Sequence, residues 1–149
     1  AYFLVQDAIE YIRDMRDTAC LTEGDMTCGT GSWLSSFSPC QGGSGCYLDS
    51  TENSPVVPTA CQSGGCIQST FASSRFLCYD PTTFRYTNGT LVTTCPAGAT
   101  KTIYARQIKV DSPLNGSNDE ALLTVTVSWS DMAGIVRSVT MREHLLNWQ

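Results

Sequence analysis

The sequence predicts an α+β fold: an N-terminal amphipathic helix packed on a C-terminal antiparallel β-meander, with a long disulfide-stapled loop region between them. Three observations carry this expectation. Apolar residues recur at helical spacing in the opening turns, they alternate with polar ones near the end, and eight cysteines are confined to the middle. A chain of 149 residues has room for one domain with its own core. Within 1–149 the helix is expected over 1–19, the cysteine-rich loops over 20–100 with a hairpin near 84–94, and the sheet over 101–149.

The helix rests on Val5, Ala8, Ile9, Ile12 and Met15, which follow the i, i+3, i+4, i+7 spacing of one face. Asp7, Glu10, Asp14 and Asp17, with Arg13 and Arg16 among them, read as a solvated face laced with ion pairs rather than a carboxylate dyad. The chain opens directly on Ala1, Tyr2, Phe3, Leu4 and Val5, without a Ser, Thr, Asp or Asn cap followed three residues on by Glu or Gln. The helix is therefore expected to continue upstream of Ala1.

In the middle zone Cys20, Cys28, Cys40, Cys46, Cys61, Cys66, Cys78 and Cys95 stand among Gly, Ser, Thr and Pro. No Cys-x-x-Cys pair occurs, and the single histidine, His144, lies far away, so disulfides are favoured over a metal cluster. Four bridges place the protein in an oxidising compartment. Eight cysteines allow about a hundred connectivities, of which neighbour pairing is the simplest. Cys78 with Cys95 has the best local case, because Asn88-Gly89 between them is a strong hairpin signal and the bridge would contribute about 3 kcal/mol.

The sheet is expected from "TIYARQIKV" (102–110), "LLTVTVSWS" (122–130) and "IVRSVTMRE" (135–143), joined by connections too short for parallel crossovers. In the second run Leu123, Val125, Val127 and Trp129 alternate with Thr124, Thr126 and Ser128, and Val139 and Met141 repeat the pattern after the turn.

Composition narrows the function. Charged residues make up 15% of the chain and the net charge is −5; residues 1–70 carry two basic and eight acidic side chains, residues 71–149 seven and six. Neither half has the basic stripe that neutralises phosphates, so no nucleic-acid partner is expected. No apolar run approaches the roughly 18 residues of a membrane span. His144, the one residue a nucleophilic triad could use, reads as a strand histidine, and phosphate-cradling or dinucleotide glycine motifs are absent. No catalytic residue, no cofactor and no enzyme activity are expected. A weak calcium candidate is the loop "DSPLNGSNDE", where Asp111, Asn115, Asp119 and Glu120 offer hard oxygens without the EF-hand register; a plain polar connection is the preferred reading. Asn88-Gly89-Thr90 and Asn115-Gly116-Ser117 match the glycosylation pattern, although each Asn-Gly is explained as a turn. Tyr47, Phe71, Phe76, Tyr79 and Tyr86 are candidate aromatic anchors on stapled loops.

The truncated helix with "AIEYIRDMRD", the short loop carrying Gly31, Ser32 and Trp33, and the closing pair "VTVSWSDMAGIVRSVTMREHLLNWQ" together resemble type IV pilin-like proteins. The likeness is nearest to the minor-pilin or pilus-modification branch, whose closing strands correspond here to Val125, Val127, Trp129, Leu145, Asn147 and Trp148. It covers roughly the first twenty and last fifty residues, and not the cysteine-rich middle. It implies a pilin-like fold and a structural or adhesive subunit of a cell-surface filament, anchored in the membrane before assembly by an apolar helical half whose end is Ala1 to Val5. Other pilin subunits and a host-cell or surface receptor are the partners it implies. A pseudopilin of a secretion machine, or a secreted disulfide-rich binding module or inhibitor, are the alternatives.

Overall fold

The computed structural model describes residues 1–22, 33–49, 57–88, 94–112 and 119–147. In chain order its elements are helix α1 (Tyr2–Thr22), a 3₁₀ turn (Ser35–Cys40), strands β1 (Cys46–Asp49) and β2 (Val57–Ala60), and a second 3₁₀ turn (Phe71–Ser73). Strands β3 (Phe76–Asp80), β4 (Arg85–Asn88), β5 (Thr100–Asp111), β6 (Glu120–Ser130) and β7 (Val136–Leu146) follow.

The three long strands form where alternation predicts them. β6 pairs antiparallel with β5 from Leu122 to Trp129, and β7 pairs with β6 along its whole length without a register shift. On the inner face Ile108, Val125 and Met141 stand side by side across the three strands, as do Val110, Leu123 and Glu143. Helix α1 lies on this face, burying Leu4, Val5, Ala8, Ile9 and Ile12 against β5, β6 and β7. Each fully buried aliphatic side chain contributes about 1.5–3 kcal/mol. Trp33, Leu34 and Phe37 extend the same core around the first 3₁₀ turn. At the rim Arg13 meets Glu143 of β7 at 2.6 Å, an exposed pair worth no more than about 1 kcal/mol.

The expected pilin-like arrangement, a helix on a three-stranded meander beside a long loop region, is overturned. The protein is mostly antiparallel β: residues 20–100 supply β1 to β4, and the seven strands among the described residues all belong to one sheet. β5 has β6 along one edge, while β3 and β1 share the other, β3 at Thr100–Ala105 and β1 at Ile108. The physical reason lies in length. Strands of four or five residues show too little periodicity to stand out from Gly, Ser, Thr and Pro; β1 and β3 are placed by the long strand β5 beside them, and β2 and β4 by β1 and β3 in turn.

Neighbour pairing of the cysteines holds for Cys40–Cys46, Cys61–Cys66 and Cys78–Cys95. The expected Cys20–Cys28 pair lies outside the described residues. The turn of the hairpin expected near 84–94, at Asn88-Gly89, runs into residues 89–93, outside the described residues; β3 and β4 form a hairpin that turns at 81–84, with Asp80 opposite Arg85. Gly45 lets β1 approach β5. Its φ is +68°, and a Cβ there would stand 2.5 Å from the Ile108 carbonyl oxygen.

Candidate functional site

Arg106 is where the inner face departs from its own pattern. It follows Tyr104 and precedes Ile108 and Val110 on the side of β5 that faces α1, opposite Val127, and is only 3% exposed. A buried guanidinium needs partners. Its Nη1 donates to the Leu4 carbonyl at 3.0 Å and to the Asp7 carboxylate at 2.9 Å, tying the first turns of α1 to the sheet. Nε and Nη2 have no hydrogen-bond partner among the described residues, and Nε is wholly buried. Burial pushes the Arg106 pKa down, while the hydrogen bond and charge of Asp7 push it back up. An arginine starts so high that it stays protonated regardless.

Beside Arg106 runs a cleft. One wall is a flank of α1, where Phe3, Asp7 and Tyr11 recur every fourth residue; the other is the β3–β4 hairpin, with Phe84, Arg85 and Tyr86. Arg106 completes the lining, and the cavity measures about 170 Å³. Phe3 and Phe84 are 66% and 77% exposed. Phe84 closes the hairpin turn at φ +57°, the only non-glycine residue in the left-handed region among those described. A bulky side chain pays about 1–2 kcal/mol for that conformation, where Gly or Asn would sit more cheaply.

The turn itself is well built. The Asp80 carboxylate accepts the Thr82 amide at 2.8 Å and the Thr83 hydroxyl at 3.0 Å, and these bonds hold its pKa below the usual aspartate value. Arg85 makes no ion pair among the described residues. With Asp7, Arg85 and Arg106 together, the cleft carries one net positive charge on an acidic protein.

Residues singled out in the sequence lie elsewhere. His144 is exposed on β7, opposite Leu122. Asp111 ends β5, the Asp119 carbonyl accepts the Asn147 amide, Glu120 opens β6, and Asn115 falls outside the described residues. No three His, Cys, Asp or Glu side chains converge among the described residues. Asn88 is 1% exposed with its side-chain amide buried, out of reach of a glycosylating enzyme in the folded protein; Asn115-Gly116-Ser117 lies outside the described residues.

Of the candidate anchors, Phe71 stacks edge-on against Phe76 with ring centres 5.3 Å apart, Tyr79 packs on Tyr86 at 5.3 Å, and Tyr47 carries the Arg75 guanidinium 4.1 Å above its ring. Only Tyr86 of these reaches the cleft. Phe84 and Arg106 are absent from the residues the sequence marks out, and Phe3 is marked only as part of the apolar opening Ala1 to Val5. The signal for Arg106 was an arginine in phase with Tyr104, Ile108 and Val110.

Comparisons with protein-family models, with curated proteins and with solved structures return no match.

Proposed function

We propose that this chain is the globular head of a structural or adhesive subunit of a type IV pilus-like surface filament, joined to the filament through an apolar helical segment upstream of Ala1. The observation that carries this reading is the divided character of α1. From Leu4 onward its apolar stripe is buried on the sheet, whereas Tyr2 and Phe3 in the first turn are 67% and 66% exposed, an apolar end that the head's own core does not use. The Arg106 bonds to Leu4 and Asp7 fasten the helix start to β5, as a mount for a load-bearing stem would require. The three disulfides among the described residues mark an oxidising, extracellular or secreted environment, which suits a surface filament. Among the described residues no helix is long and apolar enough to cross a membrane. Other subunits and a surface receptor are the partners this function needs, and no catalysis is ascribed to it.

The coding sequence upstream tests the proposal. A short basic leader followed by about 20 apolar residues running into Ala1 is expected, and antibody raised against the head should label sheared surface filaments. A cleavable secretory leader with nothing apolar after it overturns the proposal and leaves the second reading, a secreted disulfide-rich binding module. The cleft beside Arg106 is the observation that favours that alternative.

A further inference from the structure

We infer that the cleft between α1 and the β3–β4 hairpin is a binding site for an aromatic monocarboxylate: one ring held among Phe3, Tyr11, Phe84 and Tyr86, with its carboxylate on Arg85 and Arg106. The inference does not rest on the filament reading: it uses side chains of the folded head and shares only Phe3 with the argument for the stem.

Size sets the first limit. A cavity of about 150 Å³ lined by apolar groups takes one benzene ring, and this cleft measures about 170 Å³, enough for a ring and a small substituent. Charge sets the second. Asp7 already occupies Nη1 of Arg106, so Nη2 and the free Arg85 fork offer what one carboxylate can accept. A phosphate dianion would exceed the single net positive charge and would face Asp7 as a like charge, so a monoanion fits better. Backbone conformation sets the third. Phe84 holds a ring in solvent at a φ that favours glycine, and nothing in the folding of the turn calls for a ring there. The cost is offset if the ring closes over a ligand.

A free aromatic acid and a peptide ending in an aromatic residue present the same chemistry, and the experiment separates them. Isotope-labelled protein of the full chain is titrated with 3-phenylpropionate, with Gly-Gly-Phe, and with the corresponding amide of each. Saturable shifts of the Phe84, Arg85 and Arg106 amides are expected, with a dissociation constant on the order of 1 mM for so small a ligand. Amidation is expected to weaken binding about tenfold or more, because the charge-assisted hydrogen bonds are lost. Binding of the tripeptide at least about tenfold tighter than the free acid identifies a peptide C-terminus as the source; equal or weaker binding identifies the free acid.

Phe84→Gly is the decisive variant. It relieves the left-handed strain, so its thermal midpoint should equal or exceed that of the parent, yet it should lose about tenfold in affinity for the acid. Arg85→Gln, at an exposed position, should weaken the acid while leaving the amide unchanged. The assignment is overturned by an absence of saturable shifts with either acid, by equal binding of acid and amide, or by unchanged affinity in Phe84→Gly.

Discussion

Arg106 and Asp7 form an asymmetric pair: the guanidinium is buried, whereas the Asp7 side chain is 37% exposed and can be rehydrated. Removing either partner should therefore have unequal effects. Asp7→Ala leaves a buried cation with only the Leu4 carbonyl, and should cost about 2 kcal/mol in urea denaturation. Arg106→Met replaces the cation with an apolar chain of similar length and lets Asp7 turn to water, so it should cost less than Asp7→Ala. A larger loss for Arg106→Met would show that the cation itself stabilises the helix start. Asp80 supplies a second prediction at this scale. Because its folded pKa is depressed, its contribution is present above the unfolded aspartate pKa and is lost as pH falls through the folded one. Acid should accordingly lower the protection of the Thr82 and Thr83 amides, measured as exchange relative to the intrinsic rate at the same pH, and Asp80→Asn should abolish that loss of protection.

Among the elements, the disulfide between Cys78 and Cys95 ties β3 to the residues that lead into β5 across a separation of 17 residues. Replacing both cysteines by serine should lower stability by about 3 kcal/mol, measured by thermal unfolding, and more than the same change at Cys61 and Cys66, whose loop is far shorter. What the sequence revealed divides along the lengths of the elements. The stripe from Val5 to Ile12 and the alternation from Leu123 to Val127 span enough residues for a period to be read, and both are buried as that period requires. β1 to β3 were illegible, because four or five residues beside Gly and Pro carry no readable period, and β1 and β3 owe their place to β5; β4 alone falls within the hairpin expected near 84–94. The cleft was hidden for a related reason. Its two walls come from α1 and the β3–β4 hairpin, and only the fold brings Phe3 within reach of Phe84.

For the whole molecule the decisive feature is that β5 belongs to both halves of the chain. One edge receives β6, and the other receives strands drawn from the cysteine-rich region. A polypeptide of residues 1–99 should therefore show no cooperative thermal transition even with its bridges formed, whereas the full chain should melt as one unit; calorimetry distinguishes the two. During export β1 to β4 emerge before the central strand that joins their two hairpins, and what can close early is the set of local bridges, five, six and seventeen residues in span. Oxidation can thus run ahead of conformational folding, with each small ring preformed and waiting for the late-arriving central strand to gather them. Such a timetable would favour short-range cysteine partners over distant ones, since a long-range bridge sealed before β5 appeared would lock in the wrong topology.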